Sequence, residues 1–258
     1  SAEAWKYVDD MSLSEARPVT HDSTLQTDVD SLVRWTEDNH MQLNPSKCMV
    51  MLICFMRNPP PPPVLTIKTS TLQVVQFAKI LGVIFQANLK WDAHVNMMVN
   101  KGSRRLYLLR VLKRHGLDTT DLTLVFVGFI RPTLEYACPV WHPGITNAQS
   151  RAIENVQRRA CRIILGPNFV SYSMSLNQLS LPSLCNRRHE LCAKFATSLL
   201  SSTTFSNWLP PNRVSLHGKN LRSKYQLTQF KCRTGRYRKT TLPYLVDLLN
   251  NKAPQIST

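Results

Sequence analysis

Trp5-Lys6-Tyr7-Val8-Asp9-Asp10-Met11-Ser12-Leu13 sets a short strand-like run on each side of an acidic pair, and this spacing predicts a hairpin turning through Asp9-Asp10. Two adjacent carboxylates at such a tip can hold divalent cations, because magnesium is usually bound by one or two carboxylates together with substrate phosphates. Asp-Asp is also an ordinary turn dipeptide, so the tetrapeptide taken alone leaves a solvated turn open.

Working outward, Leu25, Val29, Leu32, Val33 and Thr36 recur at three- and four-residue steps. A helix is predicted from Thr24 to about His40, with Asp28, Asp30 and Arg34 facing outward and Asn44-Pro45 beyond its end. The continuous apolar run from Lys47 to Phe55 predicts a buried strand, and Pro59 to Pro63 a stiff connector. Val64 to Gln76 alternates with β-branched residues, and Lys79-Ile80-Leu81-Gly82-Val83-Ile84-Phe85 forms a further strand-like run. Residues 1–90 therefore read as α+β.

The character changes after that. Val95, Met98, Val99, Gly102, Leu106, Leu109 and Leu112 trace a helical stripe from Asp92 to about Arg114, closed by Gly116. Further helices are predicted over Thr119–Leu134, over Asn147–Leu165 with Gly166-Pro167 behind it, and over Pro182–Leu200. Three regions result: an α+β part over 1–90, a helical basic part over 91–202, and a basic tail over 203–258 expected to be weakly ordered until Leu242 to Leu249.

The chain has 258 residues, 43% of them hydrophobic, enough to bury a sizeable core and to exclude a wholly disordered protein. The net charge of +16 is unevenly spread: residues 1–100 hold 8 Lys and Arg against 10 Asp and Glu, leaving 24 against 6 for the rest. A basic surplus so placed favours a polyanionic partner, nucleic acid ahead of a membrane surface. No apolar run approaches the roughly 18 residues of a spanning helix. The 7 cysteines are odd in number and include no C-x-x-C pair, which favours reduced thiols inside a cell. A start at Ser1 reads as a piece of a longer chain.

The order of motifs resembles the reverse transcriptases of non-LTR (LINE-type) retrotransposons along most of the chain. After Tyr7-Val8-Asp9-Asp10 come Leu25-Gln26-x-Asp28-x-Asp30-x-Leu32-x-x-Trp35 and Asn39-x-Met41-x-Leu43-Asn44-x-x-Lys47-Cys48. Lys79-Ile80-Leu81-Gly82-Val83 and Leu89-Lys90-Trp91-x-x-His94-Val95 follow, similar to that family's primer grip and thumb entry. Then come Arg131-Pro132-x-Leu134-Glu135-Tyr136-Ala137 with Val140-Trp141, Glu154-x-Val156-Gln157-Arg158-Arg159-Ala160, Leu181-Pro182-x-Leu184 and Arg187-Arg188.

The resemblance implies a partial polymerase palm followed by a helical thumb and connection region. It implies an RNA template, a DNA primer and deoxynucleoside triphosphates as partners, magnesium as cofactor, and a nuclear site of action. Asp9 would be a ligand of the catalytic metals and Asp10 its acidic neighbour, with Tyr7 and Val8 shaping the nucleotide and primer end. Lys47 would neutralise or protonate the leaving pyrophosphate, although a surface lysine beside a strand reads equally well. Lys79, Leu81 and Gly82 would support the primer strand, Gly82 by letting backbones approach; a plain glycine in a strand is the alternative. The third carboxylate of such enzymes is expected upstream of the turn, because Glu3 shares the strand of the turn and Asp28 and Asp30 fall on a helix. The chain alone is therefore expected to be inactive.

Lys101, Arg104, Arg105, Arg110, Lys113 and Arg114 on one predicted helix, with Arg158, Arg159 and Arg162 on a later one, suit phosphate contacts along a template–primer duplex. A solvated helix face explains scattered charges but not the scarcity of carboxylates there. Phe230 to Lys239 mixes basic residues with aromatics, as single-strand binders do, or as a solubilising tail does. Cys185, His189 and Cys192 fall on one helical face, but no fourth zinc ligand is evident, so a buried Cys/His face is expected instead. The competing reading of the whole is a non-catalytic basic helical module that binds nucleic acid, the product of a decayed element.

Overall fold

The computed structural model describes residues 2–18, 20–213 and 226–252. It is a mixed α+β protein that divides into two compact units, residues 1–93 and residues 94–258. All the paired strands named below lie in the first.

In the first unit, β1 (Glu3–Tyr7) and β2 (Asp10–Ser14) pair antiparallel from Glu3↔Ser14 to Tyr7↔Asp10, leaving Val8 and Asp9 as a two-residue turn. The Glu15 carboxylate then accepts from Ser23 Oγ at 2.7 Å, Thr24 N at 2.8 Å and Thr24 Oγ1 at 2.9 Å. These bonds set the entry to α1 (Leu25–Asp38), and the backbone bond from Thr24, then the bond from Ser23, hold the Glu15 carboxyl below its usual range. Gln26 of α1 accepts from Thr66 N at 2.8 Å and donates to Thr66 O at 2.9 Å, so it joins the helix to β4 (Thr66–Ile67) as a neighbouring strand would.

The predicted strand Lys47–Phe55 is much shorter in the structure. Asn44 caps a 3₁₀ turn over Pro45–Lys47, and only β3 (Met49–Val50) pairs, parallel to β6 (Gln73–Val74). Thr66–Ile67 pairs with β5 (Ser70–Thr71). The run from Lys79 to Phe85 is likewise not one strand. β7 (Phe77–Ile80) and β8 (Val83–Gln86) form a hairpin about Leu81-Gly82, whose φ values of 46° and 85° are both positive, as a type I′ turn requires. Every described sheet has two strands. A small cluster of Val29, Val50, Leu65, Ile67 and Leu72 binds the unit together, with Leu13, Leu25, Val33, Leu43 and Cys48 around it.

The second unit is helical. α2 (Asp92–Arg114) starts at the boundary, where Gln86 Oε1 accepts from Ala93 N at 2.9 Å. The predicted helix Thr119–Leu134 is broken into α3 (Thr119–Val125), a π turn over Phe126–Ile130 and α4 (Arg131–Glu135). Pro132 cannot donate to a carbonyl one turn back, and the wider turn ahead of it absorbs the lost bond. α5 (Cys138–Trp141) follows Ala137, which stands at φ 49°. α6 (Asn147–Leu165) opens on a reciprocal capping box between Thr146 and Gln149. α7 (Tyr172–Gln178), α8 (Leu184–Leu200), α9 (Gly235–Arg238) and α10 (Thr241–Lys252) complete it. Of the tail over 203–258, residues 214–225 and 253–258 lie outside the described residues.

Gly102 lets α2 come close to its neighbours, since a Cβ there would lie 2.9 Å from Leu134 Cδ2 and 3.3 Å from Val156 Cγ1. Side chains that carried the family resemblance tie the helices together. Glu154 accepts from the Tyr172 hydroxyl and from Leu184 N at 3.1 Å and Cys185 N at 3.2 Å, capping α8. Gln157 donates to Tyr172 Oη at 3.0 Å and to Pro182 O at 2.9 Å. Arg187 grips Glu135 with two bonds of 3.1 Å, and Trp141 Nε1 donates to Tyr136 O at 2.9 Å. Arg188 is fully enclosed: it donates to His142 Nδ1 at 3.3 Å and Ser150 Oγ at 2.9 Å, its remaining Nη1 has no hydrogen-bond partner, and no carboxylate lies within 4.0 Å among the described residues.

Candidate functional site

Two groups of residues invite chemistry, one in each unit. In the first unit, the hairpin β1–β2 is tethered along its length and free at its tip. Ala2 N donates to Asp28 Oδ2 at 3.0 Å, and the Lys6 ammonium sits 4.8 Å from the centre of the Trp35 ring. Tyr7, Val8, Asp9 and Asp10 are all exposed. Val8 has φ 56°, and Asp9 does not share the positive sign, which are the φ signs of a type II′ turn where glycine is the usual occupant. A β-branched residue in that region is strained by about 1–3 kcal/mol, and such strain tends to collect at functional sites.

Neither Asp9 nor Asp10 makes a side-chain hydrogen bond or ion pair among the described residues, so both carboxylates are free to take a cation. Two carboxylates would supply part of a magnesium shell whose remaining oxygens come from substrate phosphates and water. No group of three or more His, Cys, Asp or Glu side chains that could hold a metal occurs among the described residues. Glu3 pairs with Ser14 at the far end of the hairpin, Asp28 is held by Ala2 N, and Asp30 accepts from Gln26 Nε2 at 2.7 Å.

The remaining expected residues of this unit are dispersed. Lys47 ends the 3₁₀ turn and is exposed. Lys79 is exposed in β7 opposite Ile84, while Gly82 occupies the turn of that hairpin. Its positive φ is what the hairpin demands of Gly82.

In the second unit the basic residues concentrate on α2 and α6. Arg159 donates to Ser103 Oγ at 3.1 Å, and Lys113 Nζ donates to Ile163 O at 2.7 Å and Ile164 O at 2.8 Å, so the two helices lie side by side. Lys113 thereby satisfies carbonyls that the end of α6 leaves open and offsets its negative pole. Gly166 leaves room for this, since a Cβ there would lie 2.6 Å from the ammonium.

Arg105 lies over the Phe129 ring at 4.2 Å, Arg158 over Tyr172 at 5.0 Å and Arg162 over Phe169 at 5.1 Å. Lys101, Arg104, Arg110 and Arg114 have no side-chain partner among the described residues. None of the basic residues predicted on α2 and α6 has a carboxylate within 4.0 Å there; the ion pairs of this unit gather instead on Glu135 and Glu190. A helix face that is merely solvated ordinarily interleaves both signs. This one leaves Lys101, Arg104, Arg110 and Arg114 available.

Sequence reasoning missed Tyr107, which is 63% exposed and lines a groove of about 590 Å³ with Arg110, Lys113, Arg114 and Ile163. Its position between the buried Leu106 and Leu109 hid it inside an apolar-looking run; the step of three to Arg110 and seven to Arg114 was the signal available.

The Cys185, His189 and Cys192 face is not gathered as a ligand set, nor is it buried as a whole. Cys192 is buried, His189 Nδ1 lies 3.0 Å from the Tyr244 hydroxyl, and Cys185 and His189 are exposed. The stretch Phe230 to Lys239 is exposed except at the half-buried Phe230 and Cys232, and Phe230 meets Tyr237 edge to face at 6.5 Å. No helix among the described residues is long and apolar enough to cross a membrane. No protein-family model, no curated protein and no solved structure matches the chain.

Proposed function

We propose that this chain is part of an RNA-directed DNA polymerase resembling those of non-LTR retrotransposons, working on an RNA template and a DNA primer in the nucleus. The first unit would belong to the palm and the second to the thumb and connection. The observation that carries the reading is the exposed hairpin tip, where Asp9 and Asp10 have no internal partner and Val8 is held at positive φ. Asp9 and Asp10 would hold magnesium, which supplies two-metal nucleotidyl transfer when bound. Tyr7 and Val8 would face the primer end, and Lys47, Lys79 and Gly82 would serve the roles that the resemblance assigns them. With two carboxylates at the tip and no third near them among the described residues, the chain by itself is inactive.

A second reading, a non-catalytic nucleic-acid-binding module, is favoured by one observation of its own: the uncompensated cations of α2 and α6 need no acidic turn to bind phosphates. Primer extension on poly(rA)/oligo(dT) with magnesium, together with a salt titration of binding, tests both. The expected result is salt-dependent binding without incorporation. Incorporation abolished by Asp9→Asn would overturn the inactivity, and the absence of binding at low salt would overturn both readings.

A further inference from the structure

We propose that the groove where the end of α2 meets the end of α6 binds one unpaired nucleotide of a single-stranded nucleic acid, stacking its base on Tyr107 and holding its phosphate with Arg110 and Arg114. This rests on the reading of the helical unit as a nucleic-acid binder and goes beyond it, because phosphate contacts along a duplex require no aromatic ring.

The groove combines two chemistries. Tyr107 presents a ring that is 63% exposed, and neither the ring nor its hydroxyl has a partner among the described residues. What sets this ring apart is the pair of unpaired guanidinium groups beside it, and every base has a face that can stack on such a ring. Arg110 and Arg114 follow Tyr107 at three and seven residues on the same helix face, and their guanidinium groups have neither carboxylate nor hydrogen-bond partner among the described residues. The groove, of about 590 Å³, is shallow and open to solvent, which suits a base laid flat on the ring more than an enclosed ligand.

The floor is built to tolerate an anion. The C-terminus of α6 would oppose a phosphate with its negative pole, but Lys113 covers Ile163 O and Ile164 O at 2.7 and 2.8 Å. Gly166 keeps the space that this ammonium needs. With the pole covered, the guanidinium groups act unopposed. A duplex buries its base faces in its own stack, so only an unpaired base can use the ring. An acidic peptide would use the arginines and leave the ring idle.

The test is fluorescence anisotropy over one series of salt concentrations, the same for every protein, with the whole chain and three probes of equal length: a single-stranded oligonucleotide, the same backbone without bases, and a blunt duplex. Tyr107→Leu is expected to weaken the single strand about tenfold and to leave the other two unchanged. Tyr107→Phe should restore binding. Arg110→Gln with Arg114→Gln should weaken all three probes and make the salt slope shallower by about one to two. Equal single-strand affinity in Tyr107→Leu, or an equal loss on the duplex, overturns the groove and leaves the wider nucleic-acid reading standing. No binding of any probe to the unaltered chain overturns both.

Discussion

Ile130 and Ile67 carry the same side chain in unlike surroundings. Ile130, in the helical unit, is 0% exposed together with Leu106, Leu109, Phe126, Leu134 and Trp141; Ile67, at 5%, is the best buried member of the cluster that binds α1 to the strands of the first unit. A similar contrast separates two groups of side chains singled out from the sequence. In the second unit Glu135, Trp141, Glu154, Gln157, Pro182, Leu184 and Arg187 are buried or bonded to neighbours within the unit, and packing accounts for them. In the first, Tyr7, Val8, Asp9, Asp10, Lys47 and Lys79 are exposed and none of them supports a core. Packing explains a buried side chain; an exposed one is explained only by a partner outside the chain.

The contrast can be broken most forcefully at Trp141. Trp141→Ala removes a fully buried ring and the bond to Tyr136 O, and should lower the stability of the helical unit by about 4 kcal/mol in urea unfolding followed by circular dichroism. A loss under 1 kcal/mol would mean that the interior is looser than its burial implies. Gly102→Val comes next, at about 2 kcal/mol, since its added methyls meet Leu134 and Val156. An unchanged urea midpoint would remove the close approach of α2 from the account.

Acid provides the third measurement. Burial pushes His94 and His142 down to about 4, with Arg188 and His189 adding to the effect at His142. Both are depressed in the folded chain, so their neutral forms favour folding fully above the ordinary value near 6.5 and progressively less down to about 4. Melting of the helical unit should fall across that window, and His142→Gln should flatten the fall; an unaltered slope in the variant would exclude His142 as its source. The smallest effect compares the isoleucines directly: Ile130→Val should cost about 1.5 kcal/mol and Ile67→Val about 0.5 kcal/mol. Equal losses would erase the distinction between the two cores.

Much of the helical unit was legible beforehand. Asp92–Arg114 and Asn147–Leu165 agree with the sequence reading because a long apolar stripe and an end signal, Gly116 or Gly166-Pro167, point the same way. The β elements were harder to read. Leu81 takes a positive φ that its side chain does not advertise, so the turn at Leu81-Gly82 looked like the middle of a strand. Only two residues of Lys47–Phe55 find a neighbour, and pairing is a long-range fact that an apolar run does not contain. The acidic tip could be read from the sequence because it is local, with both carboxylates and their turn within four residues. The groove at Tyr107 could not, because its floor is the end of another helix more than fifty residues away.

Arg188 has a consequence for the order in which the helical unit assembles. Enclosing its guanidinium strips away water that no carboxylate replaces, and one amino group is left without any bond. Packing α8 against Trp141, His142 and Ser150 therefore closes over an ion that resists dehydration. Refolding followed by stopped flow should then show a slow final phase, and Arg188→Met, which fills the same space without a charge, should shorten it.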